Sequence, residues 1–264
     1  MTRLSGGRHA SDEYRDIAEQ GTILRCQVGS GVHGTAITGQ DDRDEMGICT
    51  EPPEYVVGLR QFEQYIYRTQ PEGYRSGHGD LDLTVYSLRK WMRLALAGNP
   101  TVLLPLFVPE DEIVAITGLG EELRASAPLI ISRQAGRRFA GYLEAQRRSL
   151  LSRDGKGRDV TRPELVLKYG WDVKFGAHMV RLGVQGVELL ETGRITLPMP
   201  EPWLTYIREM RVGGHSMDEA LETAQDLEKR LLELCGTSPL REAPDYVWAD
   251  QWLIHAYQTA WGEA

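Results

Sequence analysis

Along the first 110 residues the apolar positions come in short runs bounded by glycine, proline and polar clusters. From about residue 119 they recur at the spacing of helices. Residues 22–28 (TILRCQV) form a β-prone run that stops at Gly29-Ser30-Gly31. A second candidate strand covers 45–50 and is closed by Pro52-Pro53, and 62–69 alternates loosely as a third. Residues 71–79 (PEGYRSGHG) are polar and glycine-rich and predict a loop, flanked by Arg68, Arg75 and His78. Residues 81–86 alternate again, and Ser87 suits the N-cap of a helix over 88–97 that Gly98-Asn99-Pro100 stops.

The second half predicts helices. Residues 129–151 read as one long arginine-rich helix. Thr161-x-x-Glu164 is a capping-box pattern with Pro163 just inside it, opening a helix to about residue 191 that Gly193 closes. Ser216-x-x-Glu219 is a second such pattern, before a helix through Leu234. A last amphipathic helix covers 244–261, with Trp248, Trp252, Tyr257 and Trp261 at roughly helical spacing. These rings read as core packing, because a base-stacking platform needs exposed rings beside basic groups. The pattern predicts an α+β chain, with an α/β module and mixed sheet over 1–115 and an all-helical module over 116–264.

Composition narrows the class. The 264 residues are 41% hydrophobic and 26% charged, enough to bury the core of one large domain or two small ones. No apolar run nears the roughly 20 residues that span a bilayer, so no membrane partner is expected. The opening MTRLSGGRHASDEYRD lacks the apolar stretch of a signal peptide. Cys26, Cys49 and Cys235 show no CxxC spacing. That argues against zinc or a disulfide framework and points to a reducing, cytoplasmic setting. The net charge of −8 is uneven: residues 124–181 hold thirteen basic and five acidic groups. Such a stretch builds either an anion-binding wall or solvated helix faces.

The chemistry concentrates in Gly29-Ser30-Gly31-Val32-His33-Gly34 and then Asp42-Arg43-Asp44-Glu45. Strand residues two apart share a face, roughly 7 Å apart along the chain, so Asp42 and Asp44 can converge on one metal pair. Asp80 and Asp82 repeat that spacing before a later strand. If the strands are neighbours, three carboxylates can surround two divalent ions. Phosphoryl transfer develops charge on attacking and leaving oxygens, and two cations about 3.5–4 Å apart stabilise both. Carboxylates suit magnesium, a hard cation. A glycine-serine turn lets backbone N–H groups approach a triphosphate. The competing reading is that these acids, with Asp41 and Glu45 beside them, decorate turns and a solvated sheet edge.

The string GSGVHGTAITGQDDRDEMGI resembles the signature of the DNA polymerase β nucleotidyltransferase superfamily: Gly-Ser, a spacer, Asp-x-Asp, and a third Asp on a later strand. DLTVYSLRKWMRLALAGNPTVLLPLF and DVKFGAHMVRLGVQGVELLETGRITLP resemble a family of predicted nucleotidyltransferases with a branch associated with RNA repair. The resemblance implies a polymerase-β-like catalytic module and transfer of a nucleoside monophosphate from an NTP. It implies two Mg2+ ions, or Mn2+, as cofactor. Carried over, Gly29 and Ser30 grip the triphosphate, and Asp42 and Asp44 bind both metals. Asp82 is the third carboxylate and candidate general base, with Asp80 in reserve. His33 is a candidate lining residue of the nucleotide pocket, or else structural. Lys174, His178 and Arg181, at i, i+4 and i+7, share one helix face that could meet phosphates. The alternative is a solvated basic stripe with His178 tucked partly into the core. An RNA end is the favoured acceptor. A protein, a small molecule, or a silent NTP-binding role are the alternatives, and the sequence leaves the oligomeric state open.

Overall fold

In the computed structural model, residues 9–37, 39, 42–70, 74, 76–151 and 162–262 are described. Asp41, Arg75, Thr161 and residues 71–73 of the 71–79 loop, named above, lie outside them. The residues group into two compact units: Met1–Leu96 with Val102–Ile130 and Pro244–Ala264, and Ala97–Thr101 with Ile131–Ala243.

The first unit begins with α1 (Asp12–Gly21), capped by the Ser11 hydroxyl accepting from the Tyr14 N–H. Next come β1 (Thr22–Val28), the single-turn α2 (Gly29–Val32), β2 (Arg43–Cys49) and α3 (Pro53–Val56). β3 (Gln64–Arg68) and β4 (Leu81–Ser87) lead into α4 (Leu88–Leu96), where the Ser87 hydroxyl accepts from the Lys90 N–H as expected of a cap. β5 (Ile113–Ile116), α5 (Gly118–Ala125) and α6 (Ala127–Ile130) follow.

The sheet has the order β3-β4-β2-β1-β5, and within it only β2 and β4 run parallel. β2 is central, and Glu45 through Cys49 are all buried, as an interior strand demands. β4 alternates: Leu83 and Val85 join Ile17, Ala18, Cys49, Tyr55, Phe62 and Tyr65 in a core beneath α1. Asp82, Thr84 and Tyr86 therefore point to the opposite face.

The second unit contains α7 (Gln134–Leu151), α8 (Pro163–Tyr169), α9 (Val173–Thr192), α10 (Trp203–Arg211) and α11 (Met217–Thr237). α7, α9 and α11 pack on one another. The Ser216–Glu219 capping box is present as expected. α12 (Tyr246–Gly262) belongs to the first unit, where the Tyr257 hydroxyl donates to Glu51 (2.6 Å) and Trp261 Nε1 donates to the Glu51 carbonyl (2.9 Å). The α+β expectation holds, with a mixed sheet and then helices.

Two long helices expected from periodicity are each broken. The helix expected over 129–151 stops at Ile130 and restarts at Gln134. The Leu129 carbonyl accepts from Asp245, and the Arg133 N–H donates to the Arg241 carbonyl, so both halves of that helical bond are diverted. The helix expected over 163–191 is α8 and α9. Gly170 adopts φ +81° at the end of α8, and the Asp172 carboxylate then caps α9 by accepting from the Lys174 and Phe175 N–H groups. Among the described residues no helix is long and apolar enough to cross a membrane.

Candidate active site

Parallel pairing places the starts of β2 and β4 at one end of the sheet, in the register Asp44↔Asp82. β1 runs the other way and finishes there, with Val28 opposite Asp44 and Gly29 next in line. Three chain segments thus meet because the strand ladder fixes them, independently of any side-chain contact. One carboxylate oxygen from each of Asp42, Asp44 and Asp82 lies within 4.8 Å of the other two. All three side chains are half-buried. Three negative charges this close repel one another, and a divalent cation between them relieves the repulsion. An all-carboxylate donor set fits a hard cation such as Mg2+ or Mn2+.

Gly29 sits against this cluster. Its φ is +74°, and a Cβ placed there would lie 2.0 Å from Asp44 Oδ2 and 2.8 Å from the Asp44 Cβ and Cγ. Both the backbone conformation and the close approach require glycine. The turn is tied by Thr35 N–H donating to the Ser30 carbonyl (3.0 Å) and Gly34 N–H donating to the Gly31 carbonyl (2.9 Å). His33 is the C-cap of α2 and is buried, 2% exposed, so its ring packs inside the unit.

Asp80 and Asp82 differ in their partners. Asp80 precedes β4, and its carboxylate accepts from the Thr69 hydroxyl (2.9 Å) and the Gly77 N–H (2.9 Å). It closes the loop end and is not among the three converging acids. Asp82 accepts from Gln70 Nε2 at Oδ1 (2.8 Å) and from the Ser76 hydroxyl at Oδ2 (2.7 Å). Neither partner is signalled by the sequence, since Gln70 borders and Ser76 lies within a loop whose length does not reveal which side chains turn back. Glu45 is buried on the other face of β2, bound by Arg25 Nε (2.6 Å) and Arg43 Nε (2.6 Å). It is satisfied by arginine and withdrawn from the triad.

In the second unit, Lys174, His178 and Arg181 all lie on α9. Lys174 is exposed, whereas the other two are half-buried. Burial, with Arg181 and Arg162 nearby, pushes the His178 pKa down to about 3, so the ring is neutral and adds no positive charge. Burial also lowers the Arg181 pKa to about 10, and its Nη1 donates to Gln185 Oε1 (2.9 Å). Arg162 pairs with Asp172 (3.0 Å) and lies over the Phe175 ring.

No curated protein matches the chain. Among solved structures, a nucleotidyltransferase-like protein from Exiguobacterium sibiricum 255-15 is similar at 12% identity. That match covers 85% of this chain and 72% of that one, with a TM-score of 0.31. The model of the family described as RlaP, RNA repair pathway DNA polymerase beta family, matches residues 8–255. That span takes in the Gly29 turn, the three converging aspartates and nearly all of the helices, and the chain belongs to this family.

Proposed function

We propose that this nucleotidyltransferase transfers a nucleoside monophosphate from an NTP to a hydroxyl at an RNA end. The observation that carries the reading is the convergence of Asp42, Asp44 and Asp82 oxygens beside the Gly29 turn. The acceptor hydroxyl attacks the α-phosphorus, the bond to the bridging oxygen of pyrophosphate breaks, and pyrophosphate leaves. Two Mg2+ ions, or Mn2+, held by the three aspartates would offset charge on the attacking and leaving oxygens. Gly29 and Ser30 offer backbone N–H groups and a hydroxyl to the triphosphate. Asp82 takes the proton of the attacking hydroxyl, directly or through water. Lys174 is the exposed cation of α9 and the one of its three candidates suited to a phosphate. The RNA acceptor is supported by the family's description and by the basic stretch at 124–181.

The test is incubation of the purified protein with Mg2+, labelled NTPs and an RNA pool. Label is expected on RNA, and Asp42→Asn and Asp44→Asn should each abolish it. Absence of transfer to any acceptor would overturn the reading. The net charge of −8 favours a second acceptor class, since nucleic-acid binders usually lean basic. Label on protein bands of a lysate, with none on RNA, would establish that class instead.

A further inference from the structure

We propose that Gln70 and Ser76 are positioning residues for Asp82, and that the cation affinity of the site depends on these two neutral side chains. The inference rests on the reading of Asp82 as a cation ligand. A carboxylate offers about four lone-pair directions. One neutral donor occupies a direction on each oxygen: the Gln70 amide on Oδ1 and the Ser76 hydroxyl on Oδ2. The two bonds fix the rotation of the carboxylate and leave its remaining lone pairs for the cluster with Asp42 and Asp44.

Two further observations point to this role. The first is the orientation of Gln70. Its side chain is buried, 8% exposed, and its Oε1 has no hydrogen-bond partner among the described residues. Flipping the amide would set Oε1 against the Asp82 oxygen, so the carboxylate dictates the orientation even though it leaves that oxygen unmatched. Gln70 Nε2 also donates to the Ser76 hydroxyl, which makes the clamp one connected unit. The second is the charge of the donors. Arg68 is directly opposite Asp82 in the β3–β4 ladder and forms an ion pair with it, but its Nε is 3.8 Å from Oδ1 and its side chain is 60% exposed to screening solvent. That separation is too long for a hydrogen bond. A guanidinium bound to both oxygens would compete with a cation for the negative charge. The donors that hydrogen-bond and orient the group are neutral, and the exposed arginine meets its charge only at ion-pair distance.

Loop closure alone does not account for the contacts, because Asp80 already makes the bonds that close the loop end. Mn2+ titration followed by electron paramagnetic resonance separates the two roles. The full-length protein is compared with Gln70→Leu, Ser76→Ala, Ser76→Thr and Asp82→Asn, each with its thermal melt. Gln70→Leu and Ser76→Ala should each weaken Mn2+ binding roughly tenfold, the low end of what lost outer-shell partners cost. Ser76→Thr keeps the hydroxyl and should restore affinity. Wild-type affinity in both Gln70→Leu and Ser76→Ala, with Asp82→Asn weakened, would overturn the clamp and leave the triad reading standing. An unchanged Asp82→Asn, or a wild-type protein that does not bind Mn2+, would overturn the triad reading itself. If Gln70→Leu fails to fold, the Ser76→Ala and Ser76→Thr pair decides: equal weakening in both refutes the role of the hydroxyl.

Discussion

Replacing Gly29 by alanine adds one carbon atom, and the geometry puts that atom 2.0 Å from Asp44 Oδ2, where ordinary contact begins near 3.4 Å. Rotating the carboxylate does not relieve the clash, because Asp44 Cβ and Cγ are also only 2.8 Å away. Either the turn or the whole Asp44 side chain must shift by about an ångström. Alanine at φ +74° adds about 1–2 kcal/mol of left-handed backbone strain. A domain stable by roughly 5–15 kcal/mol tolerates that, so the variant folds. A misplacement of about 1 Å at the reacting centre costs on the order of 100-fold in rate. Gly170→Ala is the matched control, since Gly170 has φ +81° with nothing within 4 Å of its would-be Cβ. Denaturant unfolding should report the backbone strain in both variants, with a further loss in Gly29→Ala from relieving the clash, whereas label transfer to RNA should fall roughly 100-fold only in Gly29→Ala. Transfer by Gly29→Ala within about threefold of wild type, with Mn2+ affinity intact, would refute the coupling of this turn to the site.

Asp80→Ala should lower stability by about 1–2 kcal/mol, since Thr69 and Gly77 lose an acceptor, while Asp82→Asn should lose Mn2+ binding at little cost to the melt. Equal loss of Mn2+ affinity in both would contradict the division of roles. His178 titrates near 3 when folded and near 6.5 when unfolded, so its contribution is present above pH 6.5 and is lost as pH falls. Unfolding free energies should drop by up to about 1.4 kcal/mol per pH unit below 6.5, and His178→Gln should flatten that dependence. An identical slope in the variant would show that the ring is protonated in the fold. Burial raises the Glu51 pKa above 4.5, so its favourable share is present below that value and is lost as pH rises through the folded pKa. Glu51→Gln retains an acceptor for the Leu88 N–H and the Tyr257 hydroxyl and should be at least as stable as wild type at pH 8. A clear loss at that pH would mean the charge itself is needed.

The strands around the site were legible because their residues satisfy two rules at once. Asp44 obeys the period of a strand with Asp42 one residue before its start, and the Gly29-Ser30 bend stops the preceding one. What the chain could not disclose was pairing. That β2 and β4 are neighbours, in a register that sets Asp44 beside Asp82, follows from the sheet as a whole. Asp80 and Asp82 share one spacing, and what the sequence does not carry is that the Asp80 carboxylate is taken by Thr69 and Gly77 while Asp82 joins Asp42 and Asp44. The broken helices failed for a different reason. Periodicity counts apolar faces, whereas the breaks at 131–133 and 170–172 come from carbonyls and N–H groups taken by distant partners or by a left-handed glycine. β5 went unread because a four-residue element carries too few positions to establish a period, and α1 because charged and polar residues fill most of its ten positions.

The attachment of α12 to Glu51 sets an order of events during synthesis. More than a hundred residues of helical chain are made between the sheet and the segment that covers the Glu51 carboxylate. A ribosome paused anywhere in that interval holds the three aspartates on a sheet still missing Tyr257 and Trp261. The helical unit can therefore finish folding first, and the sheet unit is completed only when the 246–262 segment arrives.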